Sequence, residues 1–293
     1  TWTSVLIQPS GAATIGGVIT DGLPLIDLNG ADNVTFDGLN SGGNSLTIIN
    51  TTVSSTPGTS TLRFINDAKS NTITRCALRG CSAVSSNTAG GTVFFSTAAG
   101  GGTGNDDNTI SFCDIGPVGA ALPTKALLSA GSNASFGEYN TGNQLLNNNI
   151  FDYFSATTTS NAFYIAEGTA NMTIANNRFF QTALRTQTVS NSHVVIIVAH
   201  PNNSGHTISG NVIGFANSAG TGTYEMDGVG TNSRLNGIMF TAHSATVASS
   251  VHGNTIAGIE LGGALGGTSI GGVFTGISVL NGLVDIGTAG GNT

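Results

Sequence analysis

Ile110-Ser111-Phe112-Cys113-Asp114-Ile115 is the stretch that decides how the chain is organised. Written as apolar, two residues, a small polar residue or Cys, one residue, apolar, its pattern recurs along the whole sequence. The copies are Val34/Asp37/Leu39, Ile73/Cys76/Leu78, Ile110/Cys113/Ile115, Leu145/Asn148/Ile150, Ile174/Asn177/Phe179, Ile208/Asn211/Ile213 and Val251/Asn254/Ile256. Successive first positions differ by 39, 37, 35, 29, 34 and 43 residues. A unit repeated with variable padding is the signature of a stacked array, in which each unit buries its apolar face on the next.

Upstream of each anchor lies a short β-branched or aromatic run. Examples are Leu62-Arg63-Phe64-Ile65, Val93-Phe94-Phe95, Phe163-Tyr164-Ile165 and Val194-Val195-Ile196-Ile197-Val198. Their length and composition read as strands. Between run and anchor sit Asn, Asp and Gly, as in Asn66-Asp67-Ala68-Lys69-Ser70-Asn71. These residues tolerate left-handed backbone and turn a strand at little cost. No stretch sustains the i, i+3, i+4, i+7 periodicity of a helix. The sequence therefore predicts an all-β fold: a parallel β-helix, or solenoid, of about seven to eight coils with irregular loop insertions. Residues 1–293 read as one solenoid domain, and the echo of Gly253-Asn254-Thr255 in Gly291-Asn292-Thr293 suggests a segment of a longer repeat protein.

Stacked at about 4.8 Å per coil, such a rod is roughly 35–40 Å long. Equivalent residues then line up: Asn148, Asn177, Asn211 and Asn254 are expected to form an internal amide ladder, as in cross-β stacks. Cys76 and Cys113 fall at the same rank and are expected to pack as small apolar side chains. A Cys76–Cys113 or Cys76–Cys81 bridge is the alternative. With 3 Cys, a complete set of intrachain pairs is excluded. The insertions at 51–60, 82–91, 97–104, 131–142, 183–192 and 216–236 are expected to crowd one side of the rod.

Composition narrows the function. Charged residues are only 8% of the chain while 43 Gly, with many Asn, Thr and Ser, supply an uncharged polar exterior. That balance suits a secreted or cell-surface protein. With 8 basic against 15 acidic residues and a net charge of −7, there is no basic stripe for a nucleic acid to neutralise. The longest apolar run is strand-sized, so no membrane span is predicted.

The anchors Asn71-Thr72-Ile73-Thr74-Arg75-Cys76, Asn108-Thr109-Ile110-Ser111-Phe112-Cys113 and His206-Thr207-Ile208-Ser209-Gly210-Asn211 resemble the repeats of right-handed parallel β-helix proteins of the pectin-lyase-like superfamily. The opening Asn29-Gly30-Ala31-Asp32-Asn33-Val34-Thr35-Phe36-Asp37-Gly38 is similar. In style the chain is closest to Gly/Asn/Thr-rich β-helical surface proteins of Bacteroidetes-type bacteria. The resemblance implies a right-handed coil. It leaves activity open, because one fold hosts lyases, hydrolases, epimerases, tailspikes and adhesins.

Lyases of this type combine a calcium site of clustered carboxylates with a basic residue. Asp32, Asp37, Asp106 and Asp107 are the calcium candidates here. Hydrolases of this type carry several Asp, a Gly-His-Gly turn and an Arg-x-Lys. This chain has Asp106-Asp107 as a candidate acid pair, but His206 is followed by Thr207 and Arg-x-Lys is absent. Tyr139 and Tyr153 are the candidate glycan-binding aromatics, each with an amphipathic ring and a hydroxyl handle. The reading favoured by these residues is an extracellular, non-catalytic rod, an adhesin or filament segment that binds a polysaccharide or cell-surface glycan. A polysaccharide lyase or glycoside hydrolase is the alternative. Open strand edges at the ends of such a rod further predict end-to-end self-association or coverage by flanking coils.

Overall fold

The computed structural model describes residues 3–97, 102–228, 233–263 and 272–293. The opening hexapeptide turns out to straddle a corner. Ile110 lies in the strand Thr109–Ser111, and Ile115 in the strand Asp114–Pro117 of a different sheet. Phe112, between them, adopts a left-handed backbone with φ 53°. The same corner is made by Arg75, Asn147, Asn176, Gly210 and Gly253, with φ between 55° and 64°. One left-handed residue is enough to swing the chain from one sheet to the next.

Each turn of the chain visits three sheets in the same rotation. Sheet A has nine strands, from Val5–Ile7 to Val284–Ile286. Sheet B has eight, from Ala12–Gly17 to Thr255–Ile256, and sheet C eight, from Pro24–Asn29 to Phe274–Val279. Neighbouring strands in all three sheets are parallel and belong to successive turns. These long parallel sheets are compatible with a parallel β-helix. The expected two strands per turn become three, because the anchor motif contains two strands of its own. Those strands are often only two or three residues long, too short to show an alternation.

The core consists of three unbroken columns. In sheet A the inward column is Ile7, Phe36, Ile73, Ile110, Leu145, Ile174, Ile208, Val251 and Ile286. In sheet B it is Ile15, Ile48, Leu78, Ile115, Ile150, Phe179, Ile213 and Ile256. In sheet C it is Ile26, Leu62, Val93, Leu127, Phe163, Ile196, Ile238 and Ile277. Away from the two ends these side chains are buried. A slip of one residue in any strand would expel its inward side chains to the opposite face, so the columns fix register.

At the A–B corner the asparagines behind the left-handed residues are stacked. Asn148 Nδ2 donates to Asn177 Oδ1 at 3.0 Å, Asn177 to Asn211 at 3.0 Å, Asn211 to Asn254 at 2.9 Å, and Asn254 to Asn292 at 2.9 Å. Each Oδ1 also accepts the backbone N–H of the asparagine one turn earlier. The second amide hydrogen goes to a main-chain carbonyl: Ile110, Leu145, Ile174 and Ile208 in turn. Buried amides with all four positions used carry no desolvation deficit.

In the two turns before Asn148 the rank is held by Cys113 and then Cys76. Their thiols donate to the carbonyls of Ile73 and Phe36 at 3.6 and 3.7 Å, the long reach of a weak donor. Cys76, Cys81 and Cys113 are buried free thiols.

A second ladder at the C–A corner links Asn71, Asn108 and Asn143, and a third pairs Asn105 with Asn140.

The insertions do not share one corner. Those at 51–60, 82–91, 183–192 and 216–236 leave between sheets B and C, while 97–104 and 131–142 leave between C and A. Residues 98–101 and 229–232 of these segments lie outside the described residues. Two insertions, with the stretch that follows Thr255–Ile256, add a lateral sheet, Arg185–Thr186 beside Tyr224–Gly228 beside Ile259–Gly263. A single 3-10 turn, Phe136–Glu138, is the helical element among the described residues, and no helix there is long and apolar enough to cross a membrane.

Asn177→Ala would strand the N–H and Nδ2 of Asn148 in the interior. Each unpaired buried donor costs about 1–3 kcal/mol, so urea unfolding should show a loss of about 3 kcal/mol or more. Asn176→Gly, at the exposed left-handed corner next door, should change stability by less than about 1 kcal/mol, since glycine accepts that backbone freely.

Candidate functional site

The A–B corner puts one exposed side chain per turn on the outside of the stack: Asn40, Arg75, Phe112, Asn147 and Asn176, with Gly210 continuing the row. Beside it runs the outward column at the start of sheet B, namely Thr47, Ala77, Asp114, Asn149, Arg178 and Val212. The two rows enclose a shallow groove. One hollow of about 430 Å³ is bounded by Leu39, Asn40, Arg75, Phe112, Asp114, Asn147 and Asn149. A second, of about 420 Å³, is bounded by Asn147, Asn149, Asn176, Arg178, Gly210 and Val212. They share Asn147 and Asn149, so the groove runs on across six successive turns, about 24 Å at the spacing of paired strands.

Its polar groups are set by their neighbours. Arg75 makes a two-pronged ion pair with Asp37, at 2.9 and 2.6 Å, and Gln8 Nε2 donates to the same carboxylate at 3.1 Å. The Arg75 guanidinium, chiefly, holds the Asp37 carboxyl below its ordinary pKa. Asp114 accepts from Asn149 Nδ2 at 2.7 Å. Two positions further along the same outward face of sheet B, beside the groove, Arg79 lies over the Phe151 ring at 5.2 Å, and Phe151 stacks on Phe180, also at 5.2 Å. Phe112 stands out, with 60% of its surface exposed at the lip of the groove. Amides, a guanidinium and a free aromatic face in one open trough suit a hydroxyl-rich chain, which offers donors, acceptors and C–H faces together.

The candidate residues named from the sequence lie elsewhere. Asp106 and Asp107 are at the C–A corner. Asp106 accepts the Thr141 N–H at 2.8 Å, and burial, chiefly, raises its pKa. Asp107 is exposed and left-handed, φ 55°. Asp32 accepts the Lys69 N–H at 2.9 Å, while Asp37, at the far end of the strand Val34–Asp37, is engaged by Arg75. Among the described residues, no three His, Cys, Asp or Glu side chains are grouped to hold a metal ion.

The two tyrosines are not the surface platform expected of them. Tyr139 is 7% exposed and packs on Phe136 at 5.1 Å. Tyr153 is fully buried and stacks on His193 at 5.4 Å. For Tyr153 the cause is the lateral sheet, whose Tyr224 lies over this part of the flank. Two aromatics are each 60% exposed: Phe136, in the 3-10 turn beside Tyr139, and Phe112, in the very motif that marks the repeat and at the groove. The signal of Phe112 was its place: a bulky residue, like Arg75, where the other copies carry Asn or Gly.

Two histidine groups are sealed inside. Ser160 Oγ and His193 Nδ1 are 2.7 Å apart, His193 Nε2 hydrogen-bonds the Tyr224 hydroxyl, and Gln181 Nε2 reaches that hydroxyl at 3.4 Å. Arg185 closes the group, donating to Gln181 Oε1 at 2.7 Å and pairing with Asp152. Elsewhere, Met172 N–H donates to His206 Nδ1 at 3.3 Å, and His243 Nε2 meets Ser249 Oγ at 2.7 Å. Burial lowers His193 and His206 to about 3. These groups tie the lateral sheet and loops to the stack and lie out of reach of a polymer.

Because both imidazoles are neutral in the fold and bind protons once released, their contribution to stability is present above about pH 6.5. It is lost progressively as pH falls towards 3. The urea midpoint should therefore drop between pH 7 and 4, with a shallower slope for His193→Gln.

No known family model matches the sequence, and no similar curated protein or solved structure was found.

Proposed function

We propose that the protein is an extracellular, non-catalytic rod, a right-handed β-helix of pectin-lyase-like type that binds a glycan chain along its A–B groove. Right-handedness follows the nearly universal hand of crossovers between parallel strands. The observation that carries the binding reading is the groove itself: a repeated row of exposed amides with Phe112 at its lip and Arg178 on its wall. Low charge and Asn/Thr/Gly-rich surfaces favour an exported rod, and the rigid strands hold the row in place without an ordering cost on binding. The carboxylates closest to the groove, Asp37 and Asp114, are held by Arg75 and Asn149. That engagement supports recognition over acid–base chemistry.

Affinity electrophoresis against a panel of neutral and acidic polysaccharides, with and without calcium, tests the proposal. Retardation by at least one polymer, weakened about tenfold by Phe112→Ala, is expected, since an aromatic contact contributes up to about 1.5 kcal/mol. Sugar release into solution should stay at the blank. Steady turnover, or binding indifferent to both Phe112→Ala and Arg178→Ala, would replace this reading with a lyase, a hydrolase or a different surface.

A further inference from the structure

The two hollows of the groove differ in charge. Of the six arginines, Arg63, Arg75 and Arg185 are each paired with an aspartate, Arg79 donates to the Asp114 carbonyl, and Arg234 is also engaged. Arg178 alone has neither an ion pair nor a hydrogen bond from its side chain among the described residues. It stands half-buried on the sheet-B wall of the hollow of about 420 Å³, and no carboxylate is among the residues that bound this hollow. On the opposite wall the side-chain amides of Asn147 and Asn176 are exposed and also without partners among the described residues.

The first hollow holds the opposite charge. Arg75 is neutralised there by Asp37, while Asp114 bonds Asn149 through Oδ1. Asp114, Asn149 and Arg178 are paired neighbours in one outward column, so the carboxylate and the guanidinium lie two turns apart, about 10 Å at the spacing of paired strands. A polymer with an anion on every unit would set one beside Asp114. A wholly neutral polymer would leave the Arg178 charge unmatched. The groove thus fits a largely neutral chain with an anionic substituent at the Arg178 turn. The donors narrow that anion further, because they face it from two walls. A planar carboxylate is filled by the guanidinium fork alone, whereas a tetrahedral group turns a further oxygen to the other wall. A sulfate ester carries one negative charge, equal to the single guanidinium, where a phosphate monoester carries nearly two.

We infer that the second hollow is a subsite for a sulfate ester on an otherwise neutral glycan. The Arg178 guanidinium donates to two sulfate oxygens, and the amides of Asn147 and Asn176 donate to the third. Phe112, two turns before Asn176 in the corner row, lies against an uncharged sugar ring of the same chain. The inference rests on the proposal that the A–B groove binds a glycan, and adds to it the class of substituent that the groove selects.

Affinity electrophoresis through hydroxyethyl cellulose, and through sulfated and carboxymethylated cellulose of equal, low substitution, tests it on one backbone. The wild-type chain should bind the sulfated polymer about tenfold more tightly than the neutral one, as a charge-assisted hydrogen-bonded pair allows. Arg178→Gln should bring the sulfated polymer down to the neutral one. Arg178→Lys, which keeps the charge and loses the fork, should fall between. Added salt should weaken the sulfate preference. Phe112→Ala should weaken binding to all three polymers by one factor and leave the sulfate preference in place. Equal retardation by all three polymers, tighter binding of the carboxymethylated one, or a sulfate preference that survives Arg178→Gln would overturn the subsite and leave the glycan reading standing. No retardation by any of them would overturn both.

Discussion

The buried amide stack at the A–B corner is the interaction on which the rest of the molecule depends. A corner of one residue leaves main-chain groups on both sides without sheet partners, and in a dry interior that deficit is expensive. The asparagine behind the corner resolves it by accepting from the turn before and donating both hydrogens, one to the next asparagine and one to a carbonyl. The arrangement works only if every turn stops at the same height and angle. It therefore imposes a common register on sheets A and B, and the aliphatic columns follow from that register.

The same corner generates the outer surface. A left-handed residue places its side chain outside the stack, so whatever occupies it is displayed once per turn. Four of the six positions flanking the groove at this corner are Asn or Gly, residues suited to that backbone. Arg75 and Phe112 are costlier choices there, and both face the groove. Phe215, at the B–C corner, holds the same backbone with φ 65°, so what distinguishes this face is the row itself, displayed turn after turn beside the groove.

The spacing of Val34, Ile73, Ile110, Leu145, Ile174, Ile208 and Val251 was enough to read parallel stacked strands, because a column tolerates little but Val, Ile, Leu or Phe. What the sequence concealed was the third strand per turn, since a break made by one residue leaves no mark in an alternation pattern. Asn71, Asn108 and Asn143 were likewise visible as turn residues but not as a ladder, because the same residue types also serve exposed corners. Tyr153 misled for a different reason. Its burial depends on Tyr224, about 70 residues away on an insertion with no repeat pattern. The groove was illegible because it is made by residues far apart in sequence and neighbours only across turns.

Hydrogen exchange at single amides tests the central claim most directly. The backbone N–H groups of Cys113, Asn148, Asn177 and Asn211 each donate to a stacked Oδ1, at 2.9–3.0 Å. They should exchange as slowly as the strand amides of Ile110 and Ile150, although they sit at corners where N–H groups ordinarily open first. Exchange of these four at the rate of the exposed corner loops would show that the asparagines do not form a ladder in solution, and would contradict the account.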